Sequence, residues 1–134
     1  MSKLIICFFF LFNFYNCEKE HKTLIFEINP KINKENEFNV KVGQEFVIKL
    51  NCISSSWVLL NKNEKGPVTF IKTEIEIDQR KREAIRVGGR DYLYYYFKSN
   101  SITKEPKLLK FTDTYSYLKQ TNPTPKLVIK INVN

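Results

Sequence analysis

Few residues in this 134-residue chain have the types and spacing that chemistry requires. The one histidine, His21, sits in the charged segment Glu18 to Lys22, and chain ends of that kind are commonly disordered, a poor setting for a general base. Without a second imidazole, neither Cys52 nor any serine has a positioned base to activate it as a nucleophile, unless that end is recruited. Asp78, Asp91 and Asp113 are far apart in sequence, while Glu74 and Glu76 alternate with Ile75 and Ile77, the pattern of a solvated strand face rather than of a paired general acid and base. No phosphate-cradling Walker loop or dinucleotide fingerprint is present. No thiol spacing suits zinc and no acid cluster suits calcium. The chain is therefore expected to be no enzyme and to carry no cofactor and no metal.

Charge is the next constraint. Lys and Arg number 22 against 14 Asp and Glu, a formal net charge of +8, which favours anionic partners and speeds encounter with them. One dense patch runs through Arg80-Lys81-Arg82 to Arg86 and Arg90. It reads as a solvated basic loop, or as a site for anionic glycans or lipids. Nucleic-acid binding needs aromatics interleaved with such a patch on one face. The aromatic run Tyr92 to Phe97 lies close by, but an extracellular location argues against nucleic acid, and none is expected as a partner.

That location follows from the first residues. Lys3 precedes an apolar run from Leu4 to about Phe14, and the polar stretch Asn16 to Lys19 follows, the layout of a secretory signal peptide with cleavage after Cys17. The run falls short of the roughly 20 apolar residues that span a bilayer; a retained anchor is the alternative reading. Residues 1–17 contain Lys3 and no acid, so the processed chain, 18–134, carries +7. It is expected to be one domain and a monomer, secreted or in an endomembrane or lysosome-like lumen, with no stable membrane insertion once the leader is gone. Cys7 and Cys17 belong to the leader, which leaves Cys52 alone, as a buried apolar side chain or a partner in an intermolecular disulfide. No Asn-x-Ser/Thr glycosylation acceptor is present.

The elements that must position these residues alternate with period two, and no stretch sustains a 3.6-residue apolar pattern. Leu24, Phe26 and Ile28 form a first strand, ended by Asn29-Pro30. Phe38 to Val42 and Phe46 to Leu50 read as two strands across a tight turn at Gly43. Trp57 to Leu60 is short and apolar. Val68-Phe70 and Ile75-Ile77 alternate in two registers, which predicts a bend or bulge near Ile71 to Thr73. Asp91 to Lys98 is a strand with both faces substantial, Leu109-Phe111 opens one that reaches Tyr117, and Leu127 to Val133 closes the chain. Seven to nine short strands of this kind predict an all-β fold, an immunoglobulin-like antiparallel β-sandwich with Trp57 plugging the core between sheets.

Five of these segments come in a familiar order: the Val42-Gly43-Gln44-Glu45 turn, Ser56-Trp57, Val87-Gly88-Gly89, Tyr95-Tyr96-Phe97-Lys98 and the strand Leu127 to Val133. Over roughly Phe38 to Val133 the chain resembles the chagasin-like inhibitors of papain-type cysteine peptidases. That resemblance implies a sandwich whose three loops at one end occlude the cleft of a papain-like cysteine peptidase without being cut. It assigns Asn51, Cys52, Ile53, Ser54 and Ser55 to the loop over the peptidase cysteine. Val87, Gly88, Gly89 and Arg90 form the second loop, where the glycines allow close backbone approach or simply a tight turn. Tyr115 or Tyr117 supplies the aromatic contact of the third, unless one of them is core. Two departures stand out. The family's first loop carries an Asn-Pro-Thr-Thr-Gly-type motif, whereas residues 51–55 are shorter and lack Pro and Gly; its third carries an Arg-Pro-Trp-like motif, where this chain has Thr114-Tyr115-Ser116-Tyr117-Leu118. Asn122-Pro123-Thr124 looks similar to the first motif but precedes the last strand and reads as a turn. A secreted immunoglobulin-like binding module without inhibitory activity, for instance one on an anionic surface, is the other reading.

Overall fold

Alternating apolar positions become the inner faces of two four-stranded sheets. The computed structural model describes residues 23–30, 35–52, 56–76 and 91–134, and within them the elements are β1 (Leu24–Ile28), β2 (Glu35–Val40), β3 (Glu45–Cys52), β4 (Trp57–Leu59), β5 (Val68–Glu76), β6 (Asp91–Ser99), β7 (Lys107–Asp113), α1 (Thr114–Lys119) and β8 (Leu127–Val133). The expected leader at residues 1–17, His21 and the basic patch from Arg80 to Arg90 lie outside the described residues. One sheet has the order β1-β3-β6-β5 and the other β2-β8-β7-β4. The expected sandwich is present, with eight strands among the described residues. Its central pairings are antiparallel, while β1 joins β3 and β2 joins β8 in parallel.

The β8 strand shows how sequence becomes layer. Leu127, Ile129, Ile131 and Val133 are buried and the residues between them are half-exposed, because side chains alternate across a strand. They meet Phe46, Ile48, Leu50, Leu93 and Phe97 of the facing sheet in one core. Aromatic rings join the layers. Tyr95 packs edge-on to Phe111 with centroids 5.1 Å apart, and Phe26 stacks on Phe38 at 4.2 Å, distances at which aromatic pairs add about 0.5–1.5 kcal/mol to burial alone. The fully buried aromatics are Phe46, Phe97 and Phe111. Trp57 is not the central plug the sequence suggests; it is half-buried at the start of edge strand β4 and packs against the core's flank.

Two connections differ from simple expectation. The turn at Gly43 exists, with φ +80 and Gln44 N–H donating to Lys41 O at 3.1 Å, yet the strands it joins lie in different sheets. Its donors explain why: Val42 N–H bonds to Asn134 O at the end of β8 and Gly43 N–H to Ser99 O at the end of β6, so the turn is tied to both layers instead of closing a hairpin. The predicted irregularity in β5 is a register shift between Phe70 and Lys72. Beyond it the strand is exposed, opposite a three-residue β4 too short to cover it.

Candidate functional site

Strand register brings the ends of four connections to one end of the sandwich. In the β3–β6 pair Cys52 lies opposite Asp91, so the residues that follow β3 and those that precede β6 leave side by side. In the β4–β7 pair Trp57 lies opposite Asp113, so the entry to β4 adjoins the exit from β7. The end of β3, the starts of β4 and β6 and the connection 114–126 therefore lie at the same pole, as do the end of β1 and the start of β2. The opposite pole holds the turns 41–44, 60–67 and 100–106 and the last residue, Asn134.

The 114–126 connection is described in full, and it is built from the sequence outward. Asp113 has extended backbone, φ −73 and ψ 155, and its side chain accepts from Ser116 N–H, the geometry that starts a helix. Its carboxylate takes Ser116 N–H at 2.7 Å and Ser116 Oγ–H at 3.0 Å, and it pairs with Lys126 at the far side of the connection. The Lys126 ammonium, and after it the Ser116 backbone N–H, hold the Asp113 carboxyl at about 2, below the usual 3.8. Ser56 O accepts from both Thr114 N–H, at 3.0 Å, and Thr114 Oγ1–H, at 3.1 Å. That pair of bonds ties the end of the 53–55 connection to the start of α1.

The sequence reading carries β7 on to Tyr117, but the strand stops at Asp113 and Tyr115 and Tyr117 belong to α1. Alternation of Thr-Tyr-Ser-Tyr imitates a strand; the contrary signal is Asp113, a capping residue three positions before the serine it caps. Neither tyrosine is core, at 72% and 48% exposure, and the residue α1 buries is Ser116. Leu118, which the sequence reading places in the third loop without giving it a contact, is 75% exposed.

Asn51 is placed within β3, half-buried and opposite Tyr92, with Oδ1 buried and, among the described residues, no hydrogen-bond donor to it. Cys52 ends the same strand. Ile53, Ser54, Ser55, Val87, Gly88, Gly89 and Arg90 lie outside the described residues. Behind this end, Tyr95 O–H donates to Trp57 O across the two sheets, which fixes the root of β4.

The outer face of β6 carries Tyr92, Tyr94 and Tyr96. Tyr94 O–H donates to Glu76 and Tyr96 O–H to Glu74, the latter at 2.9 Å. Burial first and the Glu76 bond second push the Tyr94 phenol well above its ordinary value. Lys49 Nζ lies 4.1 Å from the Tyr92 ring centre and Lys72 Nζ 4.7 Å from that of Tyr96. Carboxylates beside the rings and ammonium groups over them make this face a poor stacking platform for a phosphate-bearing strand. Among the described residues no group of three or more His, Cys, Asp or Glu is placed to hold a metal ion, and no helix is long and apolar enough to cross a membrane.

No family model matches the chain, and no curated protein matches it in sequence. Solved structures do match. The chain is similar to the cysteine protease inhibitor EhICP2 from Entamoeba histolytica, at 12% identity and a TM-score of 0.56, with 84% of this chain and 98% of that one covered. Amebosin aligns at 12% identity over 83% of this chain and 98% of its own, with a TM-score of 0.46. PbICP-C, solved in complex with falcipain-2, aligns at 14% identity over 83% and 99%, with a TM-score of 0.48. What the likeness to EhICP2 shows is a shared fold, the one that the resemblance to chagasin-like inhibitors implies.

Proposed function

We propose that this chain is a secreted protein inhibitor of papain-like cysteine peptidases and carries no catalysis of its own. It blocks the active-site cleft with the three connections at one pole. Asn51 to Ser55 cover the peptidase cysteine, Val87 to Arg90 flank it on one side, and α1 with Tyr115 and Tyr117 flanks it on the other. The observation that carries this reading is the register at that pole, Cys52 opposite Asp91 and Trp57 opposite Asp113, which roots all three connections together. The fold shared with a cysteine protease inhibitor supports it further.

Inhibition of this kind is steric. A preformed sandwich loses little conformational entropy on binding, so a standard-size interface suffices for tight association. The chain is expected to inhibit a papain-like peptidase reversibly and tightly in a titration of residual activity. Replacing Ser54-Ser55 or Gly88-Gly89 by bulky residues is expected to abolish the effect while the fold survives. Full activity of several such peptidases at saturating chain would overturn the reading and leave a binding module with another partner.

A further inference from the structure

Resting on the inhibitory reading above, we propose that Leu118, at the crest of α1, is the specificity-determining anchor of this pole, and that it seats in an apolar recess with an acidic rim on the lip of the target peptidase's cleft. Successive helical residues turn by about 100°. Ser116 faces inward, 6% exposed and bonded to Asp113; Leu118, two residues on, therefore points about 160° away from it, with Tyr115 about 60° to one side and Tyr117 about 100° to the other. The exposures follow that geometry, 75% for Leu118, 72% for Tyr115 and 48% for Tyr117.

Isolated exposed apolar residues are ordinary; clusters are not. Of nine exposed large apolar side chains among the described residues, three fall in this one turn of helix. The turn is also fixed in place, by the Asp113 cap at its start, by Gln120 N–H donating to Ser116 O at its end, and by the Thr114 bonds to Ser56 O. A rigid aliphatic tip flanked by two tyrosines suits an apolar recess, because the flanking rings exclude water from the centre of the contact. The same Ser56 bonds make the tip continuous with the 53–55 connection, so its occupant is whatever that pole enters. Lys119 Nζ, 5.8 Å from the Tyr115 ring centre, makes an acidic rim the complementary one.

The test compares wild type with Leu118→Met, Leu118→Ala and Leu118→Asp. It reads inhibition constants and rate constants on at least two papain-like peptidases, together with thermal midpoint and sedimentation. Leu118→Asp is expected to weaken inhibition about 30-fold or more, chiefly through faster dissociation, with the thermal midpoint unchanged. Leu118→Met should retain most affinity. Leu118→Ala should lose unequal amounts on different peptidases, the readout that a merely structural residue would not move. Wild-type inhibition left intact by Leu118→Asp on every peptidase overturns this proposal alone; absence of wild-type inhibition overturns the inhibitory reading with it. Self-association of the wild type that Leu118→Asp abolishes would assign the tip to a second copy and overturn the proposal as well.

Discussion

Asp113 joins three pieces of chain with one carboxylate: it ends β7, caps α1 through Ser116, and holds Lys126, whose own N–H bonds Phe111 O at 2.8 Å. A group held below its ordinary value stabilises the fold only while it is ionised in the folded state and would bind a proton in the unfolded one. Its contribution is therefore complete above the unfolded value of 3.8 and is lost as pH falls toward about 2. Asp113→Ala is expected to cost about 1 kcal/mol or more at neutral pH, the usual worth of a helix cap. Denaturant titrations at stepped pH should then show a shallower acid limb for the variant than for wild type. Identical limbs would mean that the Lys126 pair contributes nothing. Tyr95 O–H makes a different kind of tie, between layers and to a backbone carbonyl. Tyr95→Phe keeps the ring against Phe111 and is expected to lose about 1 kcal/mol for the bond, measured by chemical denaturation; a neutral result would show that water replaces the hydroxyl without cost.

At the scale of elements, what the sequence makes legible depends on whether one face decides the structure. The strands β6 and β8 are readable because every second side chain enters the core, and a shift by one residue would turn the whole set to solvent. The turn at Gly43 is readable as a turn but not as a crossover, since the deciding bonds come from Ser99 and Asn134, 56 and 91 positions away. The helix α1 hides because a single turn is too short to display a 3.6-residue period; only its cap betrays it. For the same reason the exposure of Leu118 is not legible beforehand, whereas Tyr115 and Tyr117 are singled out through resemblance. Gly43 offers an element-scale test. Its φ of +80 is unfavourable to a side chain even though a Cβ there would meet nothing within 4 Å. Gly43→Ala is thus expected to lower stability by about 1–2 kcal/mol. Inhibition measured at saturation should not change, because this turn lies at the pole opposite α1. A loss of inhibition in the folded variant would mean that the two poles are coupled.

For the molecule as a whole, the two poles differ: turns bonded to both sheets close one, while the other gathers the ends of four connections and an exposed apolar crest. Charge adds a long-range component to this short-range design. With residues 1–17 removed, as proposed for a secreted chain, the charge is +7, one fewer than for the full sequence because Lys3 goes with them. Fields of that sign raise the association rate with an acidic partner and are screened as the Debye length shrinks from about 10 Å at 0.1 M salt to about 3 Å at 1 M. A desolvated apolar anchor is insensitive to that change. Association with an acidic papain-like peptidase is therefore expected to slow by about tenfold over this range, while dissociation changes less than about twofold. Stopped-flow or surface-plasmon kinetics at stepped salt measure both rates. If dissociation instead accelerates in step with salt, the charges rather than the crest of α1 hold the complex together, as they would for a chain that binds an anionic surface.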